Sequence, residues 1–212
     1  SADNPEVYCA LYEKHHLEYK LHIDGAYGGF VYPFSNPQSP LNFSNPKISS
    51  ITIDAHKMLQ SPYGTGIFIC LKGLIENVLT KEAEYVEGMD LTLCGSRSGS
   101  NAVAVWIILF AYGPHGWFEK VSVLQMRTQF LCNELDQLNI PYFREPYMNI
   151  VTIDAKNINH ALAERFDLVP PQHNSENKWY KIVLMDHVEV EHLTTFIAQL
   201  KATMHVEKGI TA

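Results

Sequence analysis

Two stretches decide the fold of this chain: LHIDGAYGGFVYPF at residues 21–34 and SSITIDAHKM at residues 49–58. The first opens on a short apolar run that stops at Asp24 and is followed closely by glycines. This is how a buried strand delivers a carboxylate to the carboxyl edge of a sheet. The second belongs to a run rich in β-branched residues, Ile48–Ile53, which ends shortly before Lys57. Two neighbouring strands are therefore predicted to end in an acid and an amine.

An acid and a lysine at neighbouring strand ends suit the chemistry of pyridoxal 5′-phosphate (PLP). The pyridine ring of this cofactor needs a carboxylate on its nitrogen, and its aldehyde needs an amine with which to form a Schiff base. The two strand ends thus predict a PLP site. A DxxxGG motif or an HK pair alone would be weak evidence for one.

Three further segments complete a set of five. After HIDGAYGG and SSITIDAHK come EYVEGMDLTLCGSRSG (Glu84–Gly99), EPYMNIVTI (Glu145–Ile153) and YKIVLMDHVEVEHL (Tyr180–Leu193). In this order they resemble the PLP-dependent group II amino acid decarboxylases, in the histidine, serine and tyrosine decarboxylase-like versions. The resemblance covers nearly the whole chain. It implies an α/β chain with the PLP-dependent transferase fold (aspartate aminotransferase type I).

The same resemblance implies how the chain is divided. Residues 1–115 would be a partial PLP-binding large domain, and residues 116–212 a linking helix followed by a small C-terminal α+β domain. Nothing in residues 1–19 matches the phosphate-binding turn or the cofactor-stacking residue that the family carries earlier in the large domain. We therefore expect the first half of that domain to be absent from this chain.

The resemblance also assigns roles at the two strand ends. Lys57 would form the Schiff base, and Asp24 would accept the pyridinium N–H and keep that nitrogen protonated. For Asp24, a carboxylate that merely caps a βα turn is the other interpretation. Ala26 would pack against a face of the ring. His56 would donate to the phosphate or orient the Schiff base, although a histidine bonded to a nearby carbonyl explains the sequence nearly as well.

Four residues in a later segment receive roles in the same way. Tyr85 lies where the family's mobile loop presents a tyrosine that protonates the carbanion carbon after CO2 leaves, and packing is its alternative role. Ser96, Arg97 and Ser98 are compact donors at a turn that leads into a helix, which the family uses near the phosphate. For the two serines, plain helix capping competes with this role.

The activity implied by the resemblance is decarboxylation of an L-amino acid to the corresponding amine and CO2. Two alternatives stay open. One is a PLP carbon–carbon lyase similar to the sphingosine-phosphate lyases, which share the Asp and His-Lys signatures. The other is a truncated chain without catalysis that serves in folding or assembly.

The apolar pattern predicts the other elements of the first half. Residues 4–18 are predicted to form a helix that packs on the sheet through Val7, Leu11 and Tyr12. Residues 64–71 are predicted to form a buried strand. The run Ala102–Tyr112 is apolar nearly all round, which predicts a buried helix, and the Gly-Pro pair behind it is predicted to end that helix.

The second half shows helical and strand patterns of its own. A stripe at helical spacing predicts a long amphipathic helix; its members are Trp117, Val121, Leu124, Leu131, Leu135 and Leu138. Strand-like residues 142–144, 150–153 and 179–185, and helix-like residues 157–165 and 189–203, predict an α+β unit. The closing helix is expected to point five side chains inward, those of Val190, Leu193, Phe196, Ile197 and Leu200.

Composition and charge restrict the function classes. The chain has 212 residues, 46% of them hydrophobic and 18% charged, and a net charge of −7. That charge argues against nucleic acid or an anionic membrane surface as a partner. The run at residues 102–112 is too short to span a bilayer, and the first residues lack a signal-peptide pattern. We therefore expect a cytoplasmic protein.

Cysteine and histidine spacing, and the expected assembly, complete the prediction. The four cysteines lie far apart without a CxxC motif, which favours reduced, packed thiols, and the histidines show no metal-ligand spacing. Because family active sites form at a dimer interface, we expect a homodimer that binds a small amino acid substrate. A competent enzyme is expected to need the N-terminal part on a separate polypeptide, since a sheet without its first strands exposes an edge.

Overall fold

The first sheet is built around β2 (Ile48–Asp54), whose apolar residues are the most deeply buried of its strands. The structure is a computed structural model that describes residues 2–78, 97–169 and 178–210. Strand β1 (Leu21–Asp24) pairs with β2 in parallel, and β3 (Gly66–Cys70) pairs with the other edge of β2 in the antiparallel sense. The carboxyl ends of the two parallel strands therefore meet at one edge of the sheet.

The connection from β1 to β2 crosses over, as a parallel pair requires. It contains a 3₁₀ turn (Gly28–Phe30), the short helix α2 (Tyr32–Ser35) and irregular residues 36–47. A second 3₁₀ turn, Ile75–Val78, follows β3.

Helix α1 (Pro5–Lys14) begins where its sequence predicts. The Asn4 side chain accepts a hydrogen bond of 3.0 Å from the N–H of Glu6, and proline occupies the first turn, where a missing N–H costs nothing. The predicted apolar packing of this helix is wrong, because the side chains of Val7, Leu11 and Tyr12 are all exposed.

Two ion pairs contribute to the attachment of α1. Lys47, just before β2, forms ion pairs with Glu6 at 3.1 Å and Glu13 at 3.0 Å. Hydrogen bonds from Lys47 and Tyr19 lower the pKa of Glu13, and the two glutamates raise the pKa of Lys47. These ion pairs, together with the buried residues Pro5 and Cys9, therefore attach this helix.

Burial also differs from prediction in three other places of the first half. Strand β1 alternates between half-buried and exposed residues, and β3 is largely exposed. The predicted helix Ala102–Tyr112 exists, yet none of its residues is buried. Apolar composition marks these segments for burial, but the described residues contain nothing that covers them.

Helix α3 (Gly99–Gln137) contains both helices predicted around residue 113. Gly113 adopts φ 58° and ψ −179°, which no helical residue does, and Pro114 follows it. The predicted end of the first helix is thus confirmed as a break. The stripe beyond it is confirmed as well: Trp117, Val121, Leu124, Leu131 and Leu135 are buried. Leu138 packs against the apolar cluster that contains Leu131 and Leu135.

The second half forms the predicted α+β unit. Strands β4 (Tyr142–Arg144), β5 (Ile150–Asp154) and β6 (Trp179–Val183) make an antiparallel sheet in that order, and α4 (His160–Arg165) and α5 (Val190–Ile210) complete the unit. A buried apolar cluster fills it, including four of the five residues expected to point inward from α5. Val190 is exposed, so that one assignment is wrong.

The chain divides into two compact units, Ala2–Trp117 and Phe118–Ala212. Across the parts of the chain that the structure describes, no helix combines the length and apolar character needed to cross a membrane.

Candidate active site

The turn after β1 is closed by one internal hydrogen bond and attached to the end of β2 by two more. Oδ1 of Asp24 accepts the N–H of Ala26 at 3.0 Å, so the carboxylate folds back over its own turn. The N–H of Gly25 donates to the carbonyl of Thr52 at 2.9 Å, and the carbonyl of Ala26 accepts the N–H of Asp54 at 3.0 Å. The Asp24 carboxylate, which is exposed, therefore sits on a backbone fixed by the neighbouring strand.

Two glycines allow this close approach. A Cβ added to Gly25 would lie 3.0 Å from the Thr52 carbonyl oxygen and 3.1 Å from Cα of Gly29. A Cβ on Gly29 would lie 3.0 Å from Cγ1 of Ile53. Gly25 is thus needed for space, because backbone atoms would have to move to admit a Cβ, whereas at Gly29 the neighbour that would have to move is a side chain.

Lys57 lies in a four-residue turn that starts at the last residue of β2. Its N–H donates to the carbonyl of Asp54 at 3.0 Å, and its Nζ lies 2.8 Å from Oδ2 of the same residue. Ala55, Met58 and Leu59 are buried and anchor the turn from both sides of the lysine. The Lys57 side chain is 42% exposed, so its amine is accessible from solvent.

His56 points to a backbone carbonyl. Its Nδ1 lies 3.1 Å from the oxygen of Thr65, which also accepts the His56 N–H at 3.3 Å, and its ring centroid is 5.2 Å from that of Tyr63. A carbonyl only accepts, so Nδ1 must carry the proton, and Nε2 of the neutral ring is an acceptor. The structure thus shows His56 in the second role considered for it, a hydrogen bond to a nearby carbonyl. Donation to a phosphate through Nε2 would require the doubly protonated, cationic ring.

The candidate residues from the segment before α3 make few recorded contacts. Arg97 and Ser98 are exposed just before α3, and the Ser98 hydroxyl lies 2.6 Å from that of Ser100, within the first turn of the helix. Tyr85 and Ser96 lie outside the described residues. The structure therefore brings Asp24, Ala26, His56 and Lys57 to one sheet edge, and records no bond from Arg97 or Ser98 to them.

Asp54 is the residue at this edge that received no role from the sequence. The signal was present, because it ends the strand and stands three residues before Lys57. Asp54 lies opposite Gly66 in the β2–β3 register, and its side chain is only 25% exposed. Within the described ranges, no three His, Cys, Asp or Glu side chains are placed to hold a metal ion.

Solved structures identify the fold. A sphingosine-1-phosphate lyase from Burkholderia pseudomallei matches with a TM-score of 0.79 at 17% identity, covering 97% of this chain and 49% of that one. A glutamate decarboxylase from Lactobacillus brevis matches with a TM-score of 0.75 at 19% identity, covering 92% and 50%. At such identities the likeness shows the fold alone. It confirms the predicted PLP-dependent transferase fold, present here in part.

Curated relatives indicate the family within this fold, although no family model matches the chain. The chain is 53% identical over 201 residues to a tryptophan decarboxylase from Clostridium sporogenes, covering 95% of this chain and 48% of the relative. It is 32% identical over 195 residues to a probable L-tyrosine/L-aspartate decarboxylase from Methanocella arvoryzae, covering 85% and 49%. The chain spans about half the length of these relatives. The resemblance shown by the five motifs is confirmed: the chain corresponds to part of a group II amino acid decarboxylase, and the match fits a C-terminal part.

Proposed function

We propose that this chain supplies the lysine-bearing part of a PLP-dependent carboxy-lyase that converts an aromatic L-amino acid, with tryptophan as the first candidate, to its amine and CO2. The arrangement of Asp24 and Lys57 at one sheet edge carries the proposal. The 53% identity to a tryptophan decarboxylase supports the reaction and the substrate class. The lyase-type alternative has weaker support, because its structural match rests on 17% identity.

The residues at this edge fit PLP by their chemistry. An exposed carboxylate stands at the end of β1, an accessible primary amine follows the parallel neighbour, and a small side chain, Ala26, lies in the turn that the two strands share. These are the groups that the ring nitrogen, the aldehyde carbon and the ring face require. When bound, PLP supplies an electron sink for the electron pair left at Cα as CO2 departs.

Each residue then has a defined task. Asp24 would hold a proton on the ring nitrogen through charge and hydrogen bonding, and the N–H of Ala26 fixes one oxygen of its carboxylate. Lys57 would provide the amine that holds the cofactor. His56, kept in place by the Thr65 carbonyl, borders the same turn. Arg97 and Ser98 provide a cation and a hydroxyl for an anionic group at the start of α3.

Other parts of the proposal lie beyond the described contacts. Proton delivery by Tyr85 and phosphate binding by Ser96 stay predictions. The homodimer, the separate N-terminal fragment and the cytoplasmic location also stay predictions. The motif positions support the first two, and the chain covers about half the length of the decarboxylases that it matches.

The decisive experiment is borohydride reduction of the PLP-treated protein followed by peptide mapping. A phosphopyridoxyl mass is expected on the peptide that contains Lys57, and Lys57→Ala should abolish it. Lys72→Ala, which removes an exposed lysine beyond β3, is the matched control and should change nothing. Labelling spread over surface lysines would reject the site.

Turnover should be measured on this chain alone and on the chain combined with the half of the Clostridium sporogenes relative that it does not cover. We expect CO2 release from tryptophan by the combination and little from the chain alone. Asp24→Asn should lower turnover on the order of 100-fold, as does loss of other electrostatic partners of a transition state. Histidine, serine, tyrosine, glutamate and aspartate test the substrate class. Lysine capture without CO2 release from any amino acid would favour the lyase or the non-catalytic alternative.

A further inference from the structure

We propose that Asp54 is the positioning residue for Lys57: its carboxylate holds the lysine amine at the sheet edge whenever that amine is not bonded to the cofactor. The inference rests on the proposed function, because it takes Lys57 as the residue that bonds to PLP. It goes further by adding a residue to the site and giving it a task.

The first support is that two contacts close the same turn. The backbone N–H of Lys57 donates to the Asp54 carbonyl at 3.0 Å, and Nζ of Lys57 lies 2.8 Å from Oδ2 of Asp54. A lysine side chain loses much rotamer freedom when it is fixed, so a partner held three residues away selects one direction for the amine. The amine is thus kept at the edge of the sheet in one orientation.

The second support is that Asp54 itself is rigid. Its N–H donates to the carbonyl of Ala26 at 3.0 Å, it lies opposite Gly66 in β3, and the next residue, Ala55, is fully buried. The same residue therefore binds the turn that carries Asp24 and the side chain of Lys57. Asp54 thus fixes the position of the Lys57 amine relative to Asp24, the proposed partner of the ring nitrogen.

The third support is that stability does not explain this ion pair. The side chains are 42% and 25% exposed, and partly exposed pairs contribute little to folding. Removing the Asp54 carboxylate should leave the unfolding midpoint nearly unchanged. A change in the behaviour of Lys57 would then report on positioning and not on a damaged fold.

The chain contains its own control. The sequence TIDA, which ends at Ala55, occurs again as Thr152–Ala155 at the end of β5, where Asp154 pairs with the Nζ of Lys156 at 2.9 Å. This second pair also follows a strand, yet it lies in the other compact unit. Asp154→Asn removes a similar ion pair away from the proposed site.

The test compares wild type, Asp54→Asn, Asp54→Glu and Asp154→Asn in two reactions of Lys57. The first is acylation of the PLP-free chain by a small activated ester, quantified on the Lys57 peptide. Asp54→Asn should accelerate it about two- to fivefold, because the amine loses its partner. The second is borohydride-trapped capture of PLP, which should slow about tenfold because the amine is no longer aimed. Asp54→Glu should restore part of both rates, and Asp154→Asn should match wild type.

Opposite changes in the two reactions identify positioning, since a loosened fold would expose the amine to both reagents alike. Equal acylation of Lys57 in wild type and Asp54→Asn would overturn the inference, whether or not the chain captures PLP by itself. Capture of PLP on Lys57 with no effect of Asp54→Asn would leave the proposed function standing and remove Asp54 from it. Absence of any PLP on Lys57 in every form of the protein would instead reject the proposed function.

Discussion

The two compact units of this chain differ in how far their apolar residues are buried. In Phe118–Ala212 a single cluster of buried residues joins α3, the second sheet and α5. In Ala2–Trp117 many large apolar residues face solvent, among them Val7 at 63% and Trp106 at 62% exposure. The second unit is a self-contained core, whereas the first displays the kind of apolar surface that further protein normally covers.

The candidate site belongs to one of these two units. It lies in the unit that exposes more of its large apolar residues, at the edge of a sheet whose described part has three strands.

The largest effect is expected from separating the units. Residues 118–212 expressed alone should unfold cooperatively on heating, because they keep their whole apolar cluster. Residues 2–117 alone should associate and bind an apolar dye. Circular dichroism melting and size-exclusion chromatography would measure this, and identical cooperative behaviour of the two fragments would contradict the comparison.

A core substitution should destabilise the second unit strongly. Leu135→Ala removes a fully buried side chain and should lower the free energy of unfolding by about 2–5 kcal/mol. Met126→Ala lies on the same helix at 63% exposure, and its cost should stay within about 0.5 kcal/mol. Denaturant titration compares the two, and equal midpoints would show that this cluster does not support the fold.

A glycine substitution tests the tightest contact of the first unit. Gly25→Ala places a Cβ 3.0 Å from the Thr52 carbonyl oxygen and should cost about 1–3 kcal/mol, as other overpacked sites do. Gly66→Ala is the matched control, since its added Cβ meets nothing within 4 Å. If thermal melts show the two variants to be equally stable, the close approach of the Asp24 turn to β2 is not required.

The smallest effect concerns the charged attachment of α1. The lowered pKa of Glu13 means that its ion pair stabilises the fold above the ordinary value of 4.5, and that this contribution disappears as the pH falls through the lowered pKa. The raised pKa of Lys47 has the opposite sign: its contribution is complete below the ordinary value and disappears as the pH rises through the raised one. Attachment is therefore constant near neutral pH and weakens in acid.

Amide hydrogen exchange measures this attachment. Lys47→Met should speed exchange in α1 about two- to threefold at neutral pH, whereas Lys20→Met should not. Acid should speed exchange in α1 after correction for the intrinsic rate, and should affect α5 much less, because apolar packing holds that helix in addition to its ion pair with Glu134. Equal sensitivity of α1 and α5 to acid would show that the two units are held in the same way.

Some of the site could be predicted from the sequence because it depends on local order. A strand that ends in Asp24, and a second that ends just before Lys57, fix which chemical groups reach the sheet edge. The stripe that contains Leu131 and Leu135 fixes the buried face of α3, since helical spacing alone selects it. Neither conclusion requires knowledge of what lies across the fold.

Only the tertiary structure decided the contacts between segments. Apolar composition predicted burial for β3 and for Ala102–Tyr112, yet burial depends on a covering partner, and the described chain provides none for them. The need for Gly25 emerges only when its turn meets the Thr52 carbonyl. The ion pair of Asp54 with Lys57 likewise depends on how one turn closes. Sequence determined which groups are present and on which elements, and tertiary structure determined which of them touch, because contact is a property of pairs of segments and not of any one pattern.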